Sequence, residues 1–491
     1  MSDRKAEKRV NQKQKIIQDT VHGGIYIPSS YCREIIDTIP FQRLRRIEQT
    51  SMRSIFPSAR HDRFTHSLGT YHLGEKIFDK IYKNSSEELD LTSHEWESIG
   101  ESYKLACLLH DCGHSPFSHT FEKYYDKPNC LNDILKNLAS DNNFSSDIDF
   151  NSDAKEHEKV SAIIVLQYYR EKLMEFKADP ILIARMIIGC KYINPKDDYL
   201  KIANCFIQLL NGHIIDADRL DYIKRDRWAS GYNTINLDVE RLLSSMCIKK
   251  DEKSFRVCFH KNALSEIPHV LEAKDFQSSW VFSHHKVSYD QYILVKAVEK
   301  LAMNLNPSLP KEQAISKLFN INSFIDPNYF VNETIKLYMP CDDDIVFLLK
   351  SDISNNEYAA EWFSRKHKLK PLWKSFAEYN SLFKEELKAY AIRENGRLHR
   401  NLQRVVEEEL KAKGIPESDY GDSYYIKEIR AKGTNINTND IYVYVNRVIS
   451  YDMLVSTKAL NEECFFPYVF ISRELDVEKD DLIRKMIVSS E

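Results

Sequence analysis

Long apolar runs are missing from this sequence. Nowhere do its 491 residues approach the roughly 18 uninterrupted apolar positions that a membrane-spanning helix needs. The charged, polar start from Met1 to Lys15 lacks the apolar segment of a signal peptide. Cysteine pairs are missing too: ten cysteines are scattered without a CxxC, several in apolar surroundings (Cys107, Cys205, Cys258), which excludes a disulfide scaffold. An excess of one charge is also absent, and a formal net charge of −4 argues against a general nucleic-acid coat. These absences point to a cytoplasmic protein with no membrane partner, and nucleic acid is not favoured as a partner. Glycine and proline are scarce, at 13 and 15, beside abundant Leu, Ile, Lys and Glu. That scarcity predicts a mainly α fold with small β-hairpins and a mixed α+β C-terminal part.

What is present is concentrated in Leu105-Ala106-Cys107-Leu108-Leu109-His110-Asp111-Cys112-Gly113-His114, where an apolar helix runs into an adjacent His-Asp pair. Imidazole nitrogen and carboxylate oxygen together suit a borderline or hard divalent cation. Gly113 reads as a helix-stopping C′ residue, and Ser115-Pro116 as the start of a further helix to Tyr125. On that helix His119 and Glu122 would be i, i+3 neighbours.

Taken in order, residues 16–27 read as two strands about a His22-Gly23-Gly24 turn, and Pro28 opens a short helix. A helix from Phe41 to Gln49 carries Gln42, Arg43, Arg45 and Arg46, by charge pattern alone a solvated face. His66, Gly69 and Leu73 share a helical face, with Arg63 one turn before His66. Residues 126–155, dominated by Asp, Asn and Ser, read as a long exposed loop. His157 then stands at the start of an apolar helix, and another helix covers 179–190. In 203–228, Asp218, Tyr222 and Asp226 recur at i, i+4, i+8 and form a polar stripe. Residues 246–259 read as a hairpin and 262–304 as one long helical tract, with His285 and Tyr289 a turn apart. Pro307 and Pro310 mark a boundary. Beyond it come shorter helices, a charged helix over 379–413, strands at 441–445 and 468–471, and a final helix. The expected division is a disordered 1–15, a core over 16–305 and a C-terminal oligomerisation or regulatory region over 306–491.

Two histidines and two carboxylates, His66, His110, Asp111 and Asp218, can ligate one octahedral divalent cation and leave positions open. Such an ion polarises a phosphoryl oxygen. On these residues, and on Asp19-Thr20-Val21-His22-Gly23, Arg63-Phe64-Thr65-His66-Ser67-Leu68-Gly69, His110 through His119 and Asp216-Ala217-Asp218-Arg219-Leu220-Asp221-Tyr222, the chain resembles the deoxynucleoside triphosphate triphosphohydrolases of the HD-domain superfamily. The likeness covers residues 15–305 well and the remainder weakly.

The resemblance implies that His66, His110, Asp111 and Asp218 bind one metal ion per subunit, whether Mn, Fe, Zn or Mg, with Mg also a candidate on the triphosphate. It implies that Arg63 and Arg219 hold the triphosphate, and that His114, His119, Glu122 and His157 surround the α-phosphate. His119 is the favoured proton donor to the departing 5′ oxygen. Tyr222 and Asp226 match sugar and phosphate recognition, Gln49 a contact near the 3′-hydroxyl, and His285 with Tyr289 a pair lining the pocket. Lys15, Asp37, Gln42 and Arg45 match a guanine-nucleotide activator site found between subunits of family members, which implies a dimer or tetramer. Two departures stand out. Gln291 and Tyr292 occupy basic positions of a second activator pocket, and Thr50-Ser51-Met52-Arg53 replaces a glycine-rich run. The expected reaction is dNTP to deoxynucleoside and inorganic triphosphate, with dGTP a candidate for the preferred substrate and anti-phage defence the role of relatives. The competing readings are an HD phosphodiesterase acting on another nucleotide or single-stranded nucleic acid, and a nucleotide sensor that binds without cutting.

Overall fold

The computed structural model describes residues 13–125, 130–151, 154–212, 215–252, 254–383, 397–432, 438–455, 464–475 and 478–490. Most of the expected disordered start therefore lies outside the described residues, and its last two residues already stand in a strand. β1 (Gln14–Asp19) pairs antiparallel with β2 (Gly23–Pro28). The turn between them is closed by Asp19, whose Oδ1 accepts the backbone N–H of Val21 and His22 at 2.9 and 2.8 Å. Gly23 supplies the left-handed residue at φ +75°.

The chain is mainly α, as its composition predicts. α1 (Arg63–Ser85) and α2 (Ser93–Leu109) form the centre. Asp62 caps α1 by accepting the N–H of Thr65 at 2.8 Å. Thr92 and Glu95 make a reciprocal capping box on α2. The run Leu105 to Leu109 is fully buried, and each leucine in it contributes about 2 kcal/mol of apolar burial. Around this pair lie α3 (Leu131–Ala139), α4 (Asn142–Asn151), α5 (Glu156–Ile164), α6 (Pro180–Ile188), α7 (Asp198–Gln208) and α8 (Ala217–Ser230). Asp179, Asp197 and Asp216 cap the last three. α8 packs on α1, which brings the 218–226 stripe to the end of the α1–α2 pair.

β3 (Met246–Asp251) and β4 (Ser254–His260) form the expected hairpin. The tract expected over 262–304 is broken. α9 (Glu266–Phe276) runs into a π-helical turn at Gln277–Phe282, and α10 (His285–Leu305) starts afresh with His284 as its N-cap. α11 (Asp342–Ser351) and other helices over 311–364 pack into the same apolar cluster as α1 and α2. β5 (Leu369–Pro371), β6 (Tyr424–Lys432) and β9 (Cys464–Ser472) form an antiparallel sheet in the order β5-β9-β6. With α12 (Arg397–Ala412) and α13 (Lys479–Ser490) this sheet encloses a second core. β7 (Tyr442–Tyr444) adds parallel to β4 and pairs with β8 (Val448–Ser450), so a strand from beyond residue 430 completes the sheet of the first core. The charged helix expected over 379–413 lies outside the described residues between 384 and 396 and is seen as α12 beyond them.

Four local expectations are corrected. Within the span 126–155, the described residues 131–151 are mostly helical and not a loop: α3 and α4 bury Leu131, Leu135, Ala139, Phe144 and Ile148. A single apolar stripe at i, i+4, i+8 suffices for α3, although its other positions are polar. The helix expected from Pro116 to Tyr125 is replaced by 3-10 turns at Ser118–Thr120 and Glu122–Tyr124, and that expected over 41–49 shrinks to Ile39–Gln42 and a 3-10 turn to Arg46. Phe117 and Ser118 sit in left-handed conformation at φ 57° and 55°, a costly geometry for non-glycine residues. It is enforced by Asp342 accepting the Phe117 N–H at 2.7 Å and by Ser118 Oγ donating to the Glu48 carbonyl at 2.6 Å. Gly113 is not a left-handed stop. It is small because α5 crosses it: a Cβ there would lie 2.2 Å from Ser161 N and 2.6 Å from His157 O. Gly113→Ala is therefore expected to cost about 2–3 kcal/mol, read as a lower urea midpoint with unchanged m.

Candidate active site

Where α1, α2 and α8 meet, four side chains converge. Asp218 Oδ1 lies 3.0 Å from His66 Nε2 and 3.8 Å from His110 Nε2. Asp111 places Oδ2 3.5 Å from His66 Nε2 and Oδ1 3.4 Å from His110 Nε2. The other nitrogen of each imidazole is already engaged. His66 Nδ1 donates to Asp221 Oδ2 at 2.7 Å, and His110 Nδ1 donates to the Cys107 carbonyl at 2.9 Å. Both Nε2 atoms are buried without a hydrogen-bond partner. Orphaned lone pairs facing two carboxylates are the donor set a divalent cation takes, so the residues fit the metal that the sequence implies. Burial pushes His66 down, but Asp218, Asp221 and Asp111 outweigh it and lift the imidazole to about 10. The same concentration of negative charge attracts a cation.

Beside this group stands a second. His114, His119, Glu122 and His157 bring their ligand atoms within 4.8 Å of one another, so they too could hold an ion. Glu122 accepts from His157 Nδ1 at 2.5 Å and from His119 Nδ1 at 3.1 Å. The His114 and His157 rings stack at 3.9 Å, and His114 Nε2 lies 3.2 Å from Asp111 Oδ1. Burial, Arg63 and His157 hold His114 well below its ordinary value, so its ring is neutral. Burial raises the Glu122 carboxyl, but His157 and His119 prevail and keep it ionised.

Both groups open on one cavity of about 860 Å³, within the range of roughly 300–1,000 Å³ usual for small-molecule sites. Its wall includes Gln49, Arg63, Arg219, Tyr222 and Asp226, as expected. Gln49 Oε1 is buried there without a partner. The two expected phosphate cations are largely committed to the protein. Arg63 donates to Asp111 (2.6 Å), Ser118 and the Gln49 carbonyl. Arg219 donates to Asp216 and to the Gly212 carbonyl. Asp226 accepts from His61 at 2.6 Å and from Gln277.

Of the expected catalytic, metal and substrate residues, His66 and Glu122 stand behind the cavity wall in contact with side chains that form it, and His285 and Tyr289 do not line it. His285 hydrogen-bonds the Lys374 carbonyl at 3.2 Å. Tyr289 belongs to the second core, where its hydroxyl donates to Glu361 and accepts from the Leu369 N–H. The π-helical turn and the break at His284 set the register of α10, and Gln291 is the residue of that helix on the cavity wall. Lys15, Asp37, Gln42 and Arg45 also lie off the cavity, together on the surface. Lys15 Nζ is 3.7 Å from Asp37, Arg45 donates to Gln42 at 2.9 Å, and Arg45 covers the Phe64 ring at 3.5 Å.

Sequence reasoning missed Lys274. On α9, its ammonium donates to the Tyr222 hydroxyl, lies 4.4 Å from that ring's centroid and faces the cavity. Lys191 and Arg256 add further cations to the wall. No sequence signal attaches a lone lysine on another helix to this site.

Residues 63–188 match the family model of the HD domain; the chain carries an HD domain, and His66, His110 and Asp111 lie inside it. Beyond this class, it is 30% identical over 276 residues to the deoxynucleoside triphosphate triphosphohydrolase SAMHD1 homolog of Dictyostelium discoideum, which covers 55% of this chain and 46% of the relative. It is 42% identical over 109 residues to the deoxynucleoside triphosphate triphosphohydrolase SAMHD1 of Gallus gallus, covering 22% of this chain and 17% of that one. The chain spans about half the length of the first curated relatives it matches. Its fold is shared with a crystal structure of a phosphohydrolase from Bacteroides thetaiotaomicron, with a TM-score of 0.63 and 21% identity over 94% of this chain and all of that one. No helix among the described residues is long and apolar enough to cross a membrane.

Burial and the neighbouring Arg219 push the Lys274 ammonium down from 10.5 to about 8. Between those values the unfolded chain binds a proton that the folded chain does not, so stability gains from this group as pH rises from about 8 to 10.5. Below that window the buried charge is a standing cost. Lys274→Met is expected to melt higher than the parent at pH 7, and the difference should shrink as melts are repeated towards pH 10.

Proposed function

We propose that this cavity hydrolyses deoxynucleoside triphosphates to deoxynucleoside and inorganic triphosphate. The observation that carries the reading is the pair of orphaned imidazole nitrogens, His66 Nε2 and His110 Nε2, facing Asp111 and Asp218, two carboxylates on the wall of a cavity that also carries several cations. The likeness to triphosphohydrolases supports it. His66, His110, Asp111 and Asp218 would hold one divalent cation, Mn, Fe, Zn or Mg. Bound there, it would polarise a phosphoryl oxygen and position water.

The remaining roles belong to the chain's own groups. His119 gives a proton to the departing 5′ oxygen, and Glu122, already bonded to its Nδ1, stabilises the imidazolium and fixes the ring. Neutral His114 lines the α-phosphate, beside His157. Lys274, with one of its three N–H groups on Tyr222, offers the others to phosphate oxygens beside Arg63 and Arg219. The partnerless Gln49 Oε1 accepts a sugar hydroxyl, and Tyr222 with Asp226 flanks the sugar. The proposal extends to an activating nucleotide on the surface of Lys15, Asp37, Gln42 and Arg45, and to oligomer contacts through residues 306–491. Removal of dNTPs by such an enzyme would serve defence against phage.

The test is incubation of the purified protein with each dNTP, singly and mixed, in Mn²⁺ or Mg²⁺, with separation of the products. Deoxynucleoside with triphosphate is expected. Nucleoside monophosphate with pyrophosphate would replace this reading by a phosphodiesterase one, and binding without turnover by a sensor. Asp218→Ala should remove turnover by about a thousandfold or more. His119→Ala should lower kcat by about 10²–10⁴-fold while leaving bound metal unchanged, as read by elemental analysis.

A further inference from the structure

Two side chains of the N-terminal hairpin's turn, Asp19 and His22, are buried against α8, which the hairpin's own folding does not require. Asp19 and Gly23 close that turn. His22, in the same turn, instead sends its ring 199 residues along the chain, where Nε2 donates to Asp221 Oδ1 at 2.6 Å. Its side chain is 3% exposed and that of Asp221 is fully buried. Asp221 divides its oxygens between two imidazoles: Oδ1 takes His22, and Oδ2 takes His66 Nδ1 at 2.7 Å. Arg225 grips the same carboxylate through Nε at 2.8 Å and Nη2 at 3.1 Å. The second arm of Arg225 reaches back to Asp19 Oδ2 at 2.8 Å. Arg225 thus divides one positive charge between Asp221 and Asp19. What His22 adds is a second and shorter donor on Oδ1, which together with Arg225 Nη2 holds the rotation of the carboxylate and hence the line along which Oδ2 meets His66.

We propose that His22 is a positioning residue of the metal centre, acting through Asp221 to fix the tautomer and ring plane of His66. The N-terminal hairpin is then a structural part of the cation site. The inference rests on the reading that His66, His110, Asp111 and Asp218 hold a cation. An apolar residue would satisfy the packing of the turn equally well, so the hydrogen bond is the feature to test. Outer partners of metal-bound histidines are typically worth about 10–100-fold in metal affinity.

The experiment titrates Mn²⁺ into metal-stripped full-length protein by calorimetry, with thermal melts run on the same samples. The parent is expected to bind one ion per chain. His22→Phe should bind about 10–100-fold more weakly, and His22→Gln, whose amide can donate to the same oxygen, should recover most of the loss. If His22→Phe does not fold, His22→Asn, whose amide is too short to reach Asp221, is read in the same way. Parent-like affinity in His22→Phe overturns the positioning role alone. So does a loss that His22→Gln fails to repair, because packing and not the hydrogen bond would then be responsible. A parent that binds no ion overturns the cation reading and the positioning role with it.

Discussion

Three ionised carboxylates held around one buried histidine are the constraint that the centre of this protein has to meet. Asp111 approaches His66 from the turn after α2, and Asp218 and Asp221 from α8. Burying like charges is tolerable only where each is paired and hydrogen-bonded. Asp111 is held ionised against its burial by Arg63, His110 and His114, and Asp221 by Arg225, His22 and His66. Asp218 is held ionised chiefly by the two imidazoles, and its Oδ1 lies 3.0 Å from the orphaned nitrogen of His66. A divalent cation at that point would complete the neutralisation that the side chains leave unfinished. The packing of α1 on α8 follows from the same constraint. Gly69 lacks a side chain because a Cβ would fall 1.9 Å from Asp221 Oδ1 and 2.4 Å from Arg225 Nη2.

Much of this was legible in the sequence, for reasons that differ by element. The His110-Asp111 pair stands out because polar ligands at the end of a fully apolar helix have no packing explanation. The 218–226 stripe was readable because a period of four on a helix survives whatever the helix packs against. Length and composition alone indicated a mainly α chain. The expectation for α3 and α4 failed because composition averages over a segment, whereas one buried stripe decides its fate.

Other features could not be read because their determinants lie far away in the chain. His285 and Tyr289 share a helical face, but the face that meets the cavity depends on a π-helical turn upstream, which no spacing rule announces. Phe117 and Ser118 adopt left-handed backbone because Asp342, more than two hundred residues later, holds the loop. Lys274 becomes a cavity residue only through the angle at which α9 crosses Tyr222. Arg63 and Arg219 were found by position, yet their hydrogen bonds show guanidinium groups that build the wall as much as they face what it encloses.

The cavity also draws on both ends of the chain. β1 carries Lys15 near its start, beside Asp37 on the surface, and ends at Asp19, whose carboxylate meets Arg225 behind the His66–Asp221 pair. A six-residue strand thus joins an exposed charged patch to the buried charge network. From the other end, β7 docks in parallel on β4 directly after a 3-10 turn that places Asp440 on the cavity wall, near Arg256 of β4. Asp342 ties a third distant segment to the loop carrying His114 and His119, and Arg43 donates to the carbonyls of Cys112, His114 and Pro340 at once. Close-packed interiors transmit small displacements because they have no slack to absorb them. A ligand or subunit that moved β1, β7 or α11 would therefore press on the groups that line the site, so control from the surface needs no element beyond those that build it.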